Sequence, residues 1–156
     1  TLERVRPVLD ALAARVTHMG DLGNGAVIKL CVNTIIFGLN QAVSEALVLA
    51  ELAGVDRAAA YEVFLNSAIA APYVRYKEAA FVRPDATPVA FAVDLAIKDL
   101  RLVAELAAMA GAPMPQASID LQQFQEVAAA SAGGGDGDLS SVAAHLRRVA
   151  QHHQTQ

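Results

Sequence analysis

Apolar residues recur at helical spacing along almost the whole chain. Leu2, Val5, Leu9 and Leu12 share one face of a predicted helix over residues 1–14, with Pro7 early enough to be tolerated. Arg15-Val-Thr-His-Met19 is short and partly β-branched and reads as a strand. A lone strand leaves both edges unpaired, so it needs neighbours that this chain does not supply. From Asn24 a long apolar helix is expected to about Ala53, where Gly54 stops it. Asp56 is placed to cap a helix to about Ala68. Pro72 opens an irregular patch with a short helix around Tyr73 to Ala80 and a loop holding Pro84 and Pro88. Val89 to Ala110 reads as a helix closed by Gly111 and the Pro113 and Pro115 pair, and Ser118 to Ser131 as another. Gly133-Gly-Gly-Asp-Gly-Asp138 predicts a flexible loop. Ser140 or Ser141 caps a last helix to about Ala150, and residues 151–156 read as a frayed tail. The pattern is all-α: a bundle of five or six helices around one long central helix.

Composition agrees with one domain. The chain has 156 residues, 54% of them hydrophobic, enough for a sizeable core. The net charge of −4 and pI near 5.5 offer no basic patch, so no nucleic-acid partner is expected. The single cysteine, Cys31, excludes an internal disulfide and fits a reducing, cytoplasmic setting. Its place among Leu, Val and Ile predicts a small buried hydrophobe. Glu3, Arg4 and Arg6 precede any apolar run, so no signal peptide is read. Lys29, Asn33, Asn40, Ser44 and Glu45 interrupt the stretch from Ala26 to Ala50, so no membrane span is read either. That stretch is expected to be a helix buried on most sides inside the protein.

The polar residues of the long helix are the first candidates for chemistry. With Lys29 at zero on a wheel of about 100° per residue, Asn40 falls near ~20°, Asn33 near ~40° and Ser44 near ~60°. One charge and three short neutral hydrogen-bonding groups form a stripe more typical of a buried polar seam facing a cleft than of a solvated face. Gly23-Asn-Gly25 lacks the third glycine of a dinucleotide fingerprint, because position 28 is Ile28. It reads as a tight turn that brings a helix start close to another backbone. Asp94, Lys98, Arg101 and Glu105 share a face at i, i+4 and i, i+3 spacing, which alone describes exposed ion pairs. His18, His145, His152 and His153 form no metal signature. Neither a Ser/His/Asp arrangement nor a nucleotide-binding P-loop is recognisable.

Three motifs in order resemble a known family. Gly20-x-x-Gly23-x-Gly25-x-x-x-Lys29-x-x-x-Asn33 looks like the start of the C-terminal helical domain of the β-hydroxyacid dehydrogenases. These are the 3-hydroxyisobutyrate dehydrogenase and tartronate semialdehyde reductase group, related to 6-phosphogluconate dehydrogenase. Phe91-Ala-Val-Asp-Leu-Ala-Ile-Lys98-Asp99-Leu resembles the second family signature, and Gly137-Asp138-Leu-Ser140-Ser-Val the terminal loop-helix motif. The resemblance implies an all-α domain that completes the active site of a Rossmann domain binding NAD or NADP, and that forms the dimer. Residues 1–19 then look like the tail of that Rossmann domain, residues 20–150 like the helical domain, and the chain like a C-terminal fragment. The resemblance makes Lys29 the catalytic lysine and Asn33 a substrate ligand. It puts Lys98 beside the cofactor, with Phe91 and Asp99 lining the same cleft. Val32 departs from the histidine or asparagine that relatives carry just before this asparagine. Lys29 argues against the imine reductases, which share the fold.

The chemistry implied is hydride transfer between nicotinamide and a small hydroxy acid. A partly desolvated Lys29 would exchange the hydroxyl proton, because burial disfavours the charged form of lysine. Asn33 would hold the substrate without adding charge. The alternative reading is a non-catalytic helical dimerisation or ligand-binding module that keeps the fold. A homodimer or higher homo-oligomer is expected, since the long helix is apolar around most of its circumference and one small domain covers only part of it.

Overall fold

A computed structural model describes residues 2–154, with side chains as far as residue 152. Among them are seven α-helices: α1 Leu2–Leu12, α2 Asn24–Leu52, α3 Arg57–Leu65, α4 Pro72–Val82, α5 Val93–Ala110, α6 Pro115–Ala129 and α7 Ser141–Gln154. Two 3-10 turns, Pro84–Ala86 and Gly134–Asp136, lie in the connections.

The punctuation read from the sequence acts as expected at α2. Gly20 and Gly23 take φ of 88° and 100°, a left-handed turn that suits glycine, and Gly54 does the same (φ 89°) beyond the far end. Asp56 accepts the Ala59 N–H at 3.0 Å and caps α3. Gly111, at φ 67°, closes α5. The expected close approach of another backbone is absent at Gly25, where an added Cβ would meet nothing within 4 Å of this chain.

Several boundaries differ. Arg15 to Met19 is not a strand but irregular chain, because the described residues include no neighbouring strand to pair with it. Pro7 falls in the middle of α1, which continues through it. α5 starts at Val93 rather than Val89, because Val93 N–H bonds Gly137 O (2.9 Å) and Leu139 N–H bonds Phe91 O (3.0 Å). Those bonds hold residues 91–93 extended against the 137–139 loop, with an isolated bridge at Ala92 and Asp138. α7 runs through 151–154 instead of fraying, since no glycine or proline follows Ser141 to stop it. Thr1, Thr155 and Gln156 lie outside the described residues.

The core has two parts joined along α2. Phe37 packs with Ile97, Leu100, Phe124 and Val142, which unites α2, α5, α6 and α7. Val43 and Leu47 pack with Tyr61, Val74, Phe81 and Ala143, which unites the far half of α2 with α3, α4 and α7. Glu51, at the end of α2, accepts from Arg57 Nε (2.7 Å) and from Arg147 Nε and Nη2 (2.5 and 2.7 Å). Burial alone would raise its pKa, but the two guanidinium groups outweigh that and hold it below the usual value.

The burial expected around most of α2 is found only from Phe37 onward. The earlier turns carry no buried residue, and Ile35 is 71% exposed. Cys31 is accordingly exposed, not a buried hydrophobe. α2 is also long and apolar enough, by length and composition, to cross a membrane, despite its polar interruptions. Its second half nevertheless behaves as a core helix, with Asn40, Gln41 and Ser44 buried beside Phe37 and Leu47.

Candidate active site

The site is built where α2 meets α5. Lys29 and Asn33 stand one turn apart on α2, and Asp99 projects from the second turn of α5. The Asp99 side chain is only 2% exposed. Its Oδ2 accepts from Lys29 Nζ at 2.5 Å and from Asn33 Nδ2 at 2.7 Å. Lys98 Nζ lies 3.0 Å from Oδ1 as an ion pair, and that oxygen has no partner with hydrogen-bond angles. Burial would raise the Asp99 pKa, but the donors Lys29, Lys98 and Asn33 outweigh it and hold the carboxyl below its usual range.

Beside Asn33 opens a cavity of about 120 Å³. It is lined by Asn33, Ile36 and Phe37 of α2, Tyr73 and Tyr76 of α4, and Phe91 and Leu139 of the two connecting loops. The Phe37 and Phe91 rings lie 6.1 Å apart. The structure thus brings Lys29, Asn33, Lys98 and Asp99 into one cluster and sets Phe91 at the cavity it borders. Sequence reasoning does not find Tyr73 and Tyr76. The only signal is a pair of aromatics in an irregular segment after Pro72.

The polar stripe of α2 divides into two parts. Lys29 and Asn33 face the site, whereas Asn40 and Ser44 are fully buried and structural. Asn40 donates to Leu139 O (3.0 Å) and accepts from Tyr73 OH (2.8 Å), and Ser44 donates to Asn40 O (2.7 Å). Burial pushes the Tyr73 phenol well above its ordinary range, so it remains a hydroxyl donor to Asn40. Within this chain the desolvation expected at Lys29 is missing, because its side chain is 54% exposed. The face shared by Asp94, Lys98, Arg101 and Glu105 is exposed, and Lys98 pairs with the adjacent Asp99 rather than one turn away.

The second polar node is only half marked in the sequence, where Asp138 stands in the terminal loop-helix motif and Lys77 carries no signal. Lys77 of α4 is 1% exposed, and its Nζ contacts Asp138 Oδ1 and Oδ2 at 2.7 and 2.6 Å. The two residues are 61 positions apart, and nothing in their local patterns links them. Among the described residues no group of three or more His, Cys, Asp or Glu is placed to hold a metal ion. A separate apolar cleft of about 430 Å³ lies on another face of α2, against α5, lined by Val27, Leu30, Cys31, Ile35, Val103, Leu106 and Met114 among others. It carries no charged group, and it is the smaller cavity that borders the Lys29, Asn33 and Asp99 cluster, through Asn33.

The helical bundle that carries this cluster is of the kind found in hydroxyacid dehydrogenases. Residues 23–146 match the family model described as NAD-binding of NADP-dependent 3-hydroxyisobutyrate dehydrogenase, and the chain belongs to this family. It is 36% identical over 142 residues to L-threonate dehydrogenase of Escherichia coli K12, covering 90% of this chain and 46% of that protein. The crystal structure of 3-hydroxyisobutyrate dehydrogenase from Salmonella typhimurium superposes with a TM-score of 0.83 at 33% identity, covering 92% of this chain and 50% of that one. Mycobacterium tuberculosis 3-hydroxyisobutyrate dehydrogenase, solved with L-serine, gives 0.80 at 29% identity, covering 94% and 51%. The chain therefore spans about half the length of the relatives it matches.

Proposed function

We propose that this chain is the helical half of an NAD(P)-dependent oxidoreductase that interconverts a small β-hydroxy acid and its aldehyde or keto form, with Lys29 as general acid and base. The observation that carries the reading is the convergence of Lys29, Asn33 and Lys98 on the buried Asp99 carboxylate beside the Phe91 cavity. Two ammonium groups against one carboxylate leave a net positive charge, which suits a monoanionic hydroxy acid. The cavity has room for a substituent of only a few atoms, and its walls are mainly apolar.

The residues present fit a nicotinamide cofactor. Lys98 offers an exposed cation, Phe91 a ring face, and Asp99 Oδ1 a buried acceptor without a hydrogen bond. When bound, NAD(P) supplies or accepts the hydride. In the reductive direction Lys29 Nζ gives its proton to the substrate oxygen as the carbon gains hydride, and in oxidation it takes that proton back. Asp99 and Asn33 hold the reacting end of the substrate in register. Asp99 restrains the Lys29 ammonium, and the Asn33 amide offers a neutral hydrogen bond.

We assign residues 1–19 to the tail of the cofactor-binding domain and residues 20–150 to the helical domain. Half-exposed Lys29 and the uncovered first turns of α2 support a site completed by another domain. The exposed apolar residues around the 430 Å³ cleft support association into a homodimer or larger assembly. The exposed thiol of Cys31 suits a reducing cytoplasm.

The test compares the whole protein carrying this chain with the 156-residue chain alone, using NAD and NADP with 3-hydroxyisobutyrate and L-threonate. Turnover by the whole protein and none by the chain alone is expected. Turnover by the isolated chain, or none by the whole protein with any small hydroxy acid, overturns the reading.

A further inference from the structure

Asp138 is the most heavily loaded carboxylate among the described residues. Besides Lys77, its Oδ2 accepts the N–H groups of Ala90 (3.0 Å) and Phe91 (3.2 Å), and its Oδ1 accepts the N–H of Ser140 (3.0 Å). One side chain thus ties α4, the segment entering α5 and the start of α7. A buried ion pair is weak support for stability by itself, because desolvation offsets most of the attraction. This pair therefore calls for a role other than adding stability.

The segment it holds gives that role. Residues 83–90 are exposed apart from Thr87, which is half-buried and bonds back to the carbonyls of Ala79 and Arg83. The next anchors are the bonds of Ala90 and Phe91 to Asp138, followed by the two backbone bonds between residues 91–93 and 137–139. Phe91 then lines the cavity with Asn33, and α5, which starts two residues on, delivers Lys98 and Asp99. The opposite wall is locked separately, because Asn40 joins Tyr73 to Leu139.

We propose that the buried Lys77–Asp138 pair positions the active site, holding Phe91 and the start of α5 against Asn33 and so setting how tightly the hydroxy acid is bound. This rests on the dehydrogenase reading above. The pair touches no reacting atom, since it acts through the backbone of residues 90–93. It therefore governs substrate KM more than kcat.

The test uses the whole protein in four forms: wild type, Lys77→Met/Asp138→Asn, Phe91→Ala, and the triple variant. Removing both charges together avoids stranding one of them in the interior. Amide hydrogen exchange of residues 90–93 should quicken at least tenfold in the double variant, while amides of α6 stay at wild-type rates. Substrate KM should rise at least tenfold, with kcat within a few-fold. Phe91→Ala should raise KM by itself, and adding the double substitution to it should change KM less than twofold, because both act through one residue. A folded double variant with wild-type exchange at 90–93 and wild-type KM overturns the proposal, as does full additivity with Phe91→Ala. If the double variant does not fold, Lys77→Gln leaves Asp138 its three backbone donors and should still raise KM at least threefold, and an unchanged KM there overturns the proposal. If the wild-type protein turns over no hydroxy acid, the dehydrogenase reading fails by itself, and the exchange rates alone decide whether the pair holds this segment.

Discussion

Replacing Asp99 with Asn removes the charge that organises the cluster while keeping its shape. The Asn33 hydrogen bond onto a charged acceptor belongs to a class worth about 1.5–3 kcal/mol. Lys29 and Lys98 are both more than half exposed, so each of their ion pairs adds only about 0.2–1 kcal/mol. The substituted amide would keep one carbonyl oxygen and recover part of this, but its N–H₂ group would face an ammonium. A net loss of about 2 kcal/mol follows, and for a chain of this size that lowers Tm by roughly 4–8 °C. The pH dependence carries the sharper test. The folded pKa of Asp99 lies below its unfolded value of about 3.9. Its contribution is therefore complete above about pH 4 and is lost as pH falls through the folded value. Thermal melts followed by circular dichroism should give the full gap between wild type and Asp99→Asn at pH 7, and a shrinking gap below pH 4. No gap at pH 7, or an equal gap at the lowest pH where both fold, refutes the reasoning.

Asn33→Ala in the whole protein should raise KM for the hydroxy acid at least tenfold with kcat within a few-fold, because it removes a neutral binding contact, and steady-state kinetics checks this. Asp120 behaves in the opposite sense to Asp99. It is fully buried, its Oδ2 has no partner, and burial raises its pKa, so its stabilising form is the protonated one and is lost as pH rises. Asp120→Asn should therefore stabilise the protein at pH 7 by about 1–3 kcal/mol and have little effect near pH 3, as read by urea unfolding. Light scattering of the 156-residue chain at micromolar concentration should give a mass of at least twice 16.3 kDa, and a clean monomer contradicts the packing argument.

Local signals in the sequence carry far. Gly23 and Gly54 bracket α2, Asp56 caps α3, and the four-residue step from Lys29 to Asn33 is legible from the sequence by itself. What cannot be read depends on contacts between distant segments. Asn40 and Ser44 share the wheel position of Lys29, yet both are buried, Asn40 against Tyr73 of α4 and Leu139, while the first turns of α2 stay open. Helical periodicity fixes which face a residue occupies, not which turn of that face is covered. The burial expected of Cys31 fails for the same reason. Lys77 has the pattern of any surface lysine on a short helix, and only the fold closes Asp138 over it. Asp99 is reached through a motif, although it stands three residues after Ala96 and four before Val103, on the buried face that Lys98 does not share.

The most direct test of the account is kcat of the whole protein with Lys29 replaced by Ala, measured in both directions with a small hydroxy acid and its carbonyl partner. Loss of a positioned proton donor and acceptor should lower kcat by about 10² to 10⁴-fold, with cofactor KM changed no more than a few-fold. Activity retained within a few-fold of wild type would mean that Lys29 only pairs with Asp99, and would contradict the mechanism proposed.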